Sequence, residues 1–426
     1  MSIILYVYII FLCLMIAQSC AMLYLNLYVW MDEDRLADSG SPKKNLKAKH
    51  TFTIMLPAYH EEAVLGQTIS EISKMRYPKK LFEILVILQP SDTGTINVAK
   101  QAIKKNKLKN AKIVIVDANH LPLNKPYQMN VALELAKYDH VVIFDSEDQV
   151  HSKILAIANT IYQEKDVDII QAGVQLVNYS DRWFSSANVL EYFFWFKSRM
   201  HAHMKAQVAP LGGNTVFFKT KQLREIGGWN ENCLTEDAEI GLRLCSQGAV
   251  MCATYDAEFV TKEETPLTIE QFIKQRTRWC QGFLQIISNK TIKLLPTRKQ
   301  RMIAYYLLGF PVAQAIIVLA SPIIVVYGIL GNMPLIISIL SFIPVLLVLA
   351  LLAMQIVGLY EFVREQRMKF KFKGFFWLVL GFIPYQLMLS YGALRACKRH
   401  FSKITNWEKT THVGAHRNIS EPGRIS

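Results

Sequence analysis

The chain has 426 residues, 51% of them hydrophobic and 19% charged, with a formal net charge of +14. That is too apolar for an ordinary soluble protein of this length. The basic excess would suit nucleic acid or an anionic membrane surface. Its distribution favours the second, because the basic clusters flank apolar runs: KKNLKAK at 43–49, TRKQR at 297–301, REQRMKFKFK at 364–373 and CKRH at 397–400. That is positive-inside bias, and we read it as excluding a nucleic-acid partner.

Four apolar runs, 3–30, 303–330, 335–360 and 374–394, are long enough to span a bilayer. The first lacks a basic leading segment and a clear small-residue cleavage site, so it reads as an anchor rather than a signal peptide. Between it and the second run lie about 270 residues of globular composition, enough for one sizeable domain. The expected organisation is an N-terminal membrane helix (1–31), a linker (32–50), a catalytic-type domain (51–290), a C-terminal membrane region (291–396) and a basic tail (397–426). Seven cysteines show no CxxC pair and no Cys/His ligand spacing, which suits a reduced, cytosol-facing domain.

Along the globular stretch, TFTIMLP reads as a buried strand that breaks at Pro57, followed by a helix over 63–74 and the strand FEILVIL. A helix around 95–105 leads to KIVIVD, and KPYQMNVALELAKY leads to HVVIFD. Apolar strands alternating with amphipathic helices predict a mostly parallel sheet with helices on both faces. Ligands of such sheets bind beyond the carboxyl ends of the strands, here PAYHEE, QPSD and DSED. The acidic loop DSED (145–148) is either a solvated strand end or a clamp for a hard divalent ion, held by Asp145 and Glu147. The segment 182–204 interleaves aromatic and basic residues, and suits either a membrane–water interface or a helix packed on the core. His201 and His203 have no third ligand nearby, so no metal site is read there. Gly212 and Gly213, in PLGGNTVFF, permit either a tight turn or close approach of a ligand.

The most informative stretch runs from 234 to 282. Thr235, Glu236 and Asp237 head a helical run, where their oxygens suit the positive helix end. In QRTRW, Gln275, Arg278 and Trp279 at i, i+3 and i+4 share one helical face. A guanidinium fork beside a flat indole suits a diphosphate and a sugar ring better than it suits a structural helix.

TED followed some forty residues later by QxxRW resembles the inverting, membrane-embedded family 2 glycosyltransferases, the group of cellulose, hyaluronan and poly-N-acetylglucosamine synthases. The resemblance covers roughly residues 50 to 290 and a short piece of the tail. It implies a GT-A-type nucleotide-sugar-binding domain inserted between transmembrane helices, with Mg²⁺ or Mn²⁺ as cofactor. It further implies that Asp237, beside Glu236, is the catalytic base, and that Asp145 and Glu147 hold the metal. Tyr59, Glu61, Gln89, Lys125, Asp145, Gln275 and Arg278 would bind the donor diphosphate and nucleotide. Trp279, Gly212 and Gly213 would meet the acceptor, with Asn130 near the donor and GWN (228–230) following as in relatives. In the tail, Trp407, Lys409 and Thr410 match a gating loop that closes over the donor. Two departures stand out. Asp-x-Asp is Asp145-Ser146-Glu147 here, and a pair of aspartates expected after the second strand is replaced by Leu88 and Gln89. A Gln carbonyl can still accept from uracil N3–H, so a UDP-linked donor is expected.

The activity so implied is a processive hexosyltransferase that extends a polysaccharide from a nucleotide sugar with inversion and couples synthesis to export. The alternatives are a single transfer to a membrane lipid and a non-catalytic membrane subunit. An accessory subunit is a possible partner. A cell-membrane, multi-pass protein with its catalytic domain in the cytosol is expected. A cytosolic tail then needs an even number of crossings after Arg301, and the run 374–394, interrupted by Gly381, Pro384 and Gly392, is the segment expected not to cross simply.

Overall fold

The computed structural model describes residues 3–331, 333–404, 408 and 414–418. The chain begins with α1 (Ile3–Leu27) and α2 (Glu33–Ser39), then alternates strand and helix: β1 (Phe52–Ala58), α3 (Leu65–Ser73), β2 (Phe82–Leu88), α4 (Thr93–Lys105), β3 (Ala111–Ile115), α5 (Lys125–Leu135), β4 (His140–Ile143), α6 (Ile154–Glu164). Next come β5 (Ile169–Ala172), β6 (Val174–Leu176), α7 (Ser185–Phe194) and α8 (Met200–Lys205), then β7 (Val216–Lys219), α9 (Thr220–Glu225) and α10 (Glu236–Ser246). After β8 (Met251–Thr254) and β9 (Thr261–Glu263), the long helices α11 (Ile269–Ser288), α12 (Arg298–Leu330), α13 (Leu335–Leu340), α14 (Phe342–Glu365), α15 (Phe372–Leu380) and α16 (Phe382–Phe401) follow.

The main sheet has seven strands in the order β3-β2-β1-β4-β7-β5-β8. All neighbours are parallel except β7, which runs antiparallel to β4 and β5. Period-two alternation sorts the strand side chains between two apolar layers. Phe52, Ile54 and Leu56 of β1 and Ile84 and Val86 of β2 join α3, α4 and α6 on one face. Met55, Leu85 and Ile87 face the other way, into a second core. That second core does not stop at the globular domain. It continues through Phe193 of α7 to Leu307 of α12, Phe362 of α14 and Tyr385 of α16, so the sheet and the apolar helices share one packed interior.

Pro57 does not break β1, which pairs with β2 as far as Ala58. The Phe144 N–H donates to Met55 O, so odd-numbered residues of β1 face β4, whose pairing ends at Met55. The missing N–H of Pro57 therefore lies on a side with no strand left to receive it. The aromatic, basic segment resolves into a helical run with one π-helical turn at Trp195–Arg199, a wide turn of the kind that often marks functional sites. Phe193 and Met200 are fully buried, and Lys197 pairs with Glu365 of α14. The run is a strut between the sheet and the apolar helices rather than a surface-lying amphipath.

Among the described residues, three helices are long and apolar enough to cross a membrane: Ile3–Leu27, Arg298–Leu330 and the continuous stretch Leu335–Glu365. Phe372–Leu380 and Phe382–Phe401 qualify only as a pair, and they meet at a bend of 61°, centred on the predicted interruption at Gly381. The apolar helices make the chain a membrane-associated protein.

Candidate active site

At the carboxyl end of β4 the chain turns into DSED, and because β7 is antiparallel, its leading Gly212-Gly213-Asn214 arrives at the same edge. The amino ends of α5 and α10 and the middle of α11 close around this point. The result is a cavity of about 370 Å³ lined by Lys125, Asp145, Glu147, Gly212, Gly213, Glu236, Asp237, Gln275, Arg278 and Trp279, among others. Ten of the residues singled out from the sequence thus share one wall.

The TED turn and α11 are locked together. A β-carbon on Gly282 of α11 would run into the Thr235 side chain, and the Leu234 N–H donates to Gln285 Oε1 at 2.9 Å. Asp237 is held as an acceptor: its Oδ2 takes the Gly213 N–H at 2.7 Å and its Oδ1 the Ala238 N–H at 2.7 Å. Burial and the neighbouring Asp237 charge push the Glu236 carboxyl up, against the pull of Lys125. Lys125 spans the cavity floor, with Nζ 2.5 Å from Asp145 Oδ1 and 3.2 Å from Gly213 O. Burial disfavours its charge, but Asp145 and Glu236 outweigh that, and its ammonium is held above the usual lysine range.

The acidic loop has its own brace. Asp148 Oδ2 accepts the Asp145 N–H at 2.8 Å, and Oδ1 accepts from Asn214 Nδ2 at 2.9 Å, while Asn214 also pairs with Glu263. Burial, and then the charges of Glu263, Asp145 and Glu147, push Asp148 well above the carboxylate range. Carboxylates outnumber cations on the cavity wall, with Asp145, Glu147, Glu191, Glu236, Asp237, Glu263 and Glu264 against Lys125, Arg199, Arg276 and Arg278. An anionic diphosphate would be repelled by that balance. Oxygen donors in excess, at a strand end, are the donor set of a hard divalent cation, so Asp145 and Glu147 fit the predicted metal. A separate group, His60, Glu62 and Asp92, brings its ligand atoms within 4.8 Å of one another beyond this cavity, but His60 and Glu62 are exposed and Asp92 already caps α4.

Three expected donor residues lie elsewhere on the same sheet edge. Tyr59 is exposed beside His60, Glu61 is buried where α3 begins, and Gln89 is buried with its amide donating to Leu123 O at 3.2 Å. None lines the cavity. Asn130 turns to the GWN loop, taking the Trp229 N–H at 2.8 Å and donating to Trp229 O at 2.9 Å, so it positions a loop rather than touching a ligand. Trp407, Lys409 and Thr410 fall outside the described residues.

Sequence reasoning missed Arg276. Its guanidinium lies 4.5 Å from the Trp279 ring centroid, pairs with Glu191 and donates to Asn188, fixing the indole from behind. Its position three residues before Trp279 on one helix was the available signal. Glu191 is held in turn by the Tyr385 hydroxyl at 2.7 Å. Beyond Trp279 the wall turns mostly apolar, with Trp195, Phe196, Phe283, Leu307, Phe310, Pro311 and Leu389 leading between α11, α12 and α16, and Arg199 and Gln314 as polar members.

Residues 50–282 match the family described as Glycosyltransferase like family 2. The chain is similar to the beta-monoglucosyldiacylglycerol synthase of Trichormus variabilis, 26% identical over 237 residues that make up 55% of this chain and 49% of that one. It is also similar to the poly-beta-1,6-N-acetyl-D-glucosamine synthase of Staphylococcus aureus, 23% identical over 270 residues, 63% of each chain. The chain thus spans about half the length of the first of these relatives. Among solved structures, a mannosyltransferase from Pyrobaculum calidifontis in complex with GDP-Man and Mn²⁺ superposes with a TM-score of 0.58 at 17% identity, covering 92% of this chain and 99% of that one. That likeness gives the fold, a GT-A-like α/β domain with a mostly parallel sheet. With more than half of its length matched to the family, the chain belongs to glycosyltransferase family 2.

Proposed function

We propose that the protein transfers one hexose, with inversion, from a UDP-linked sugar to a hydroxyl on a membrane lipid. The observation that carries this reading is the continuity of the cavity: one wall holds the carboxylates and Lys125, and the other is mostly apolar and runs between α11, α12 and α16. A pocket of this size admits a headgroup and the start of an acyl chain. In this reading the nucleotide-binding face is cytosolic, on the side of the flanking basic clusters.

The inverting step is a single displacement at the anomeric carbon. Asp237 takes the proton of the attacking hydroxyl; its bonds to the Gly213 and Ala238 amides orient the carboxylate and leave lone pairs toward the cavity. Asp145 and Glu147 would hold Mg²⁺ or Mn²⁺, which when bound would neutralise charge on the departing diphosphate. Lys125 and Arg278 add fixed positive charge to the same group, and no high-pKa acid is needed for so activated a leaving group. Trp279, backed by Arg276, offers a flat apolar plate to the acceptor.

A second reading, processive synthesis of a polysaccharide coupled to export, is favoured by Trp279 together with the QxxRW face it belongs to. The two differ in product. Purified protein in mixed micelles with a bacterial or archaeal lipid extract would be given a panel of radiolabelled UDP- and GDP-sugars, with and without chelator. The proposal expects metal-dependent label in a solvent-extractable lipid carrying one sugar. Label in a water-soluble ladder would replace it with the processive reading.

A further inference from the structure

Arg417 lies 270 residues beyond the acidic loop in sequence, yet its guanidinium is inserted beneath that loop. Nη2 donates to the carbonyls of Glu147 at 2.9 Å and Asp148 at 3.0 Å and to Thr68 Oγ1 at 2.5 Å. Thr68 in turn donates to the carbonyl of Ser146 at 2.5 Å. Three consecutive carbonyls of the loop are therefore fastened by one guanidinium and one hydroxyl. The Arg417 side chain is only 2% exposed, with Nη1 3.8 Å from Glu71 Oε1 on α3. A charge taken so far out of water is normally spent on specific acceptors, and here those acceptors are the backbone that carries Asp145 and Glu147. The turn Ala415–Asn418 that presents it is tied down at its start, where the Gly414 N–H donates to Glu264 Oε1 at 3.2 Å. Upstream, Glu408 is paired with Arg395 and Arg399 of α16.

We infer that Arg417 is a positioning residue that holds the DSED loop in the geometry that binds cation and diphosphate. The inference rests on the proposed metal clamp at Asp145 and Glu147. Arg417 touches neither carboxylate group; it acts through the main chain between and after them. Asp148 and Asn214 brace the loop from within, and the tail braces it from beneath, so the C-terminal turn belongs to the donor site although it lies past the last apolar helix.

The test uses the full-length protein in detergent and Mn²⁺ as the probe, followed by electron paramagnetic resonance in the presence of inorganic pyrophosphate, which avoids any assumption about the base. Arg417→Gln should weaken Mn²⁺ binding about tenfold, the low end for losing an outer partner of a metal ligand. Arg417→Lys should recover part of this, since the three acceptors converge on Nη2 and an ammonium also carries three donors on one nitrogen. Should Arg417→Gln fail to fold, Thr68→Val removes the hydroxyl linking the guanidinium to the Ser146 carbonyl and should weaken binding in the same direction. In steady state the loss should fall on the KM for donor and metal more than on kcat. Asp145→Asn is the control. If it abolishes Mn²⁺ binding while Arg417→Gln (or Thr68→Val in its place) binds within twofold of wild type, the positioning role is wrong and the clamp stands. If Asp145→Asn binds Mn²⁺ like wild type, the clamp itself is wrong and the inference goes with it.

Discussion

The two halves of the cavity are built by different means. On the acceptor side, TED and QRTRW belong to helices in close contact: Gly282 leaves no room for a β-carbon against Thr235, and Gly241 of α10 leaves none against the Ala209 carbonyl. Side chains there are pinned by contacts between helices, and Arg276, Glu191 and Tyr385 lock the Trp279 plate. On the proposed donor side, the DSED loop is held by Asn214 and by Arg417 of the tail, and Tyr59 and Gln89, expected to meet the donor, stand off the cavity wall. In the proposed mechanism, proton removal thus depends on packed helices, while donor capture depends on loops and a tail that converge on them.

That contrast can be broken at either side. The largest effect is expected at Asp237. An amide keeps the shape but cannot take the proton, so Asp237→Asn should lower kcat on the order of 10²–10⁴-fold while the donor dissociation constant stays within about twofold. Near-normal turnover would remove Asp237 from the mechanism. Next comes Gly282→Ala, which pushes α11 off the TED turn without altering any polar group. A displacement approaching an ångström can cost about 10²-fold, and the loss should fall on kcat; an effect on donor KM alone would mean the two halves are not separate. The smallest effect is expected at Gln89. Its amide is spent on Leu123 O, which leaves the carbonyl for uracil. Gln89→Ala should raise the KM for a UDP-sugar about fivefold, the worth of one net hydrogen bond, and leave kcat unchanged. Equal effects on UDP- and GDP-sugars would detach Gln89 from base recognition.

Much of this is legible in the amino-acid sequence. Strands with period-two apolar faces, helices between them, and the TED and QxxRW pair were readable because each signal is local. What escaped depends on contacts between distant segments. Nothing in VFFK reveals that β7 runs antiparallel, yet that direction is what delivers Gly213 to Asp237. Pro57 reads as a strand breaker because its missing N–H is local knowledge, whereas the absence of a neighbour on that side is not. Asn130 lies five residues after Lys125 on α5, but its amide is claimed by Trp229, some hundred residues on. Arg417 carried no motif at all, because its role exists only where the tail meets α3 and the acidic loop.

The central claim is that the acceptor enters along the apolar wall between the membrane helices. Leu389 of α16 lines that wall and has no role in the proposed chemistry. Leu389→Trp fills the passage, and the decisive measurement is transfer of labelled sugar to extracted lipid, taken beside donor binding in the same preparation. The account predicts that transfer falls at least tenfold, an obstruction of the kind that overpacking produces, while donor binding is unchanged. Transfer at the wild-type rate with the passage filled would contradict it.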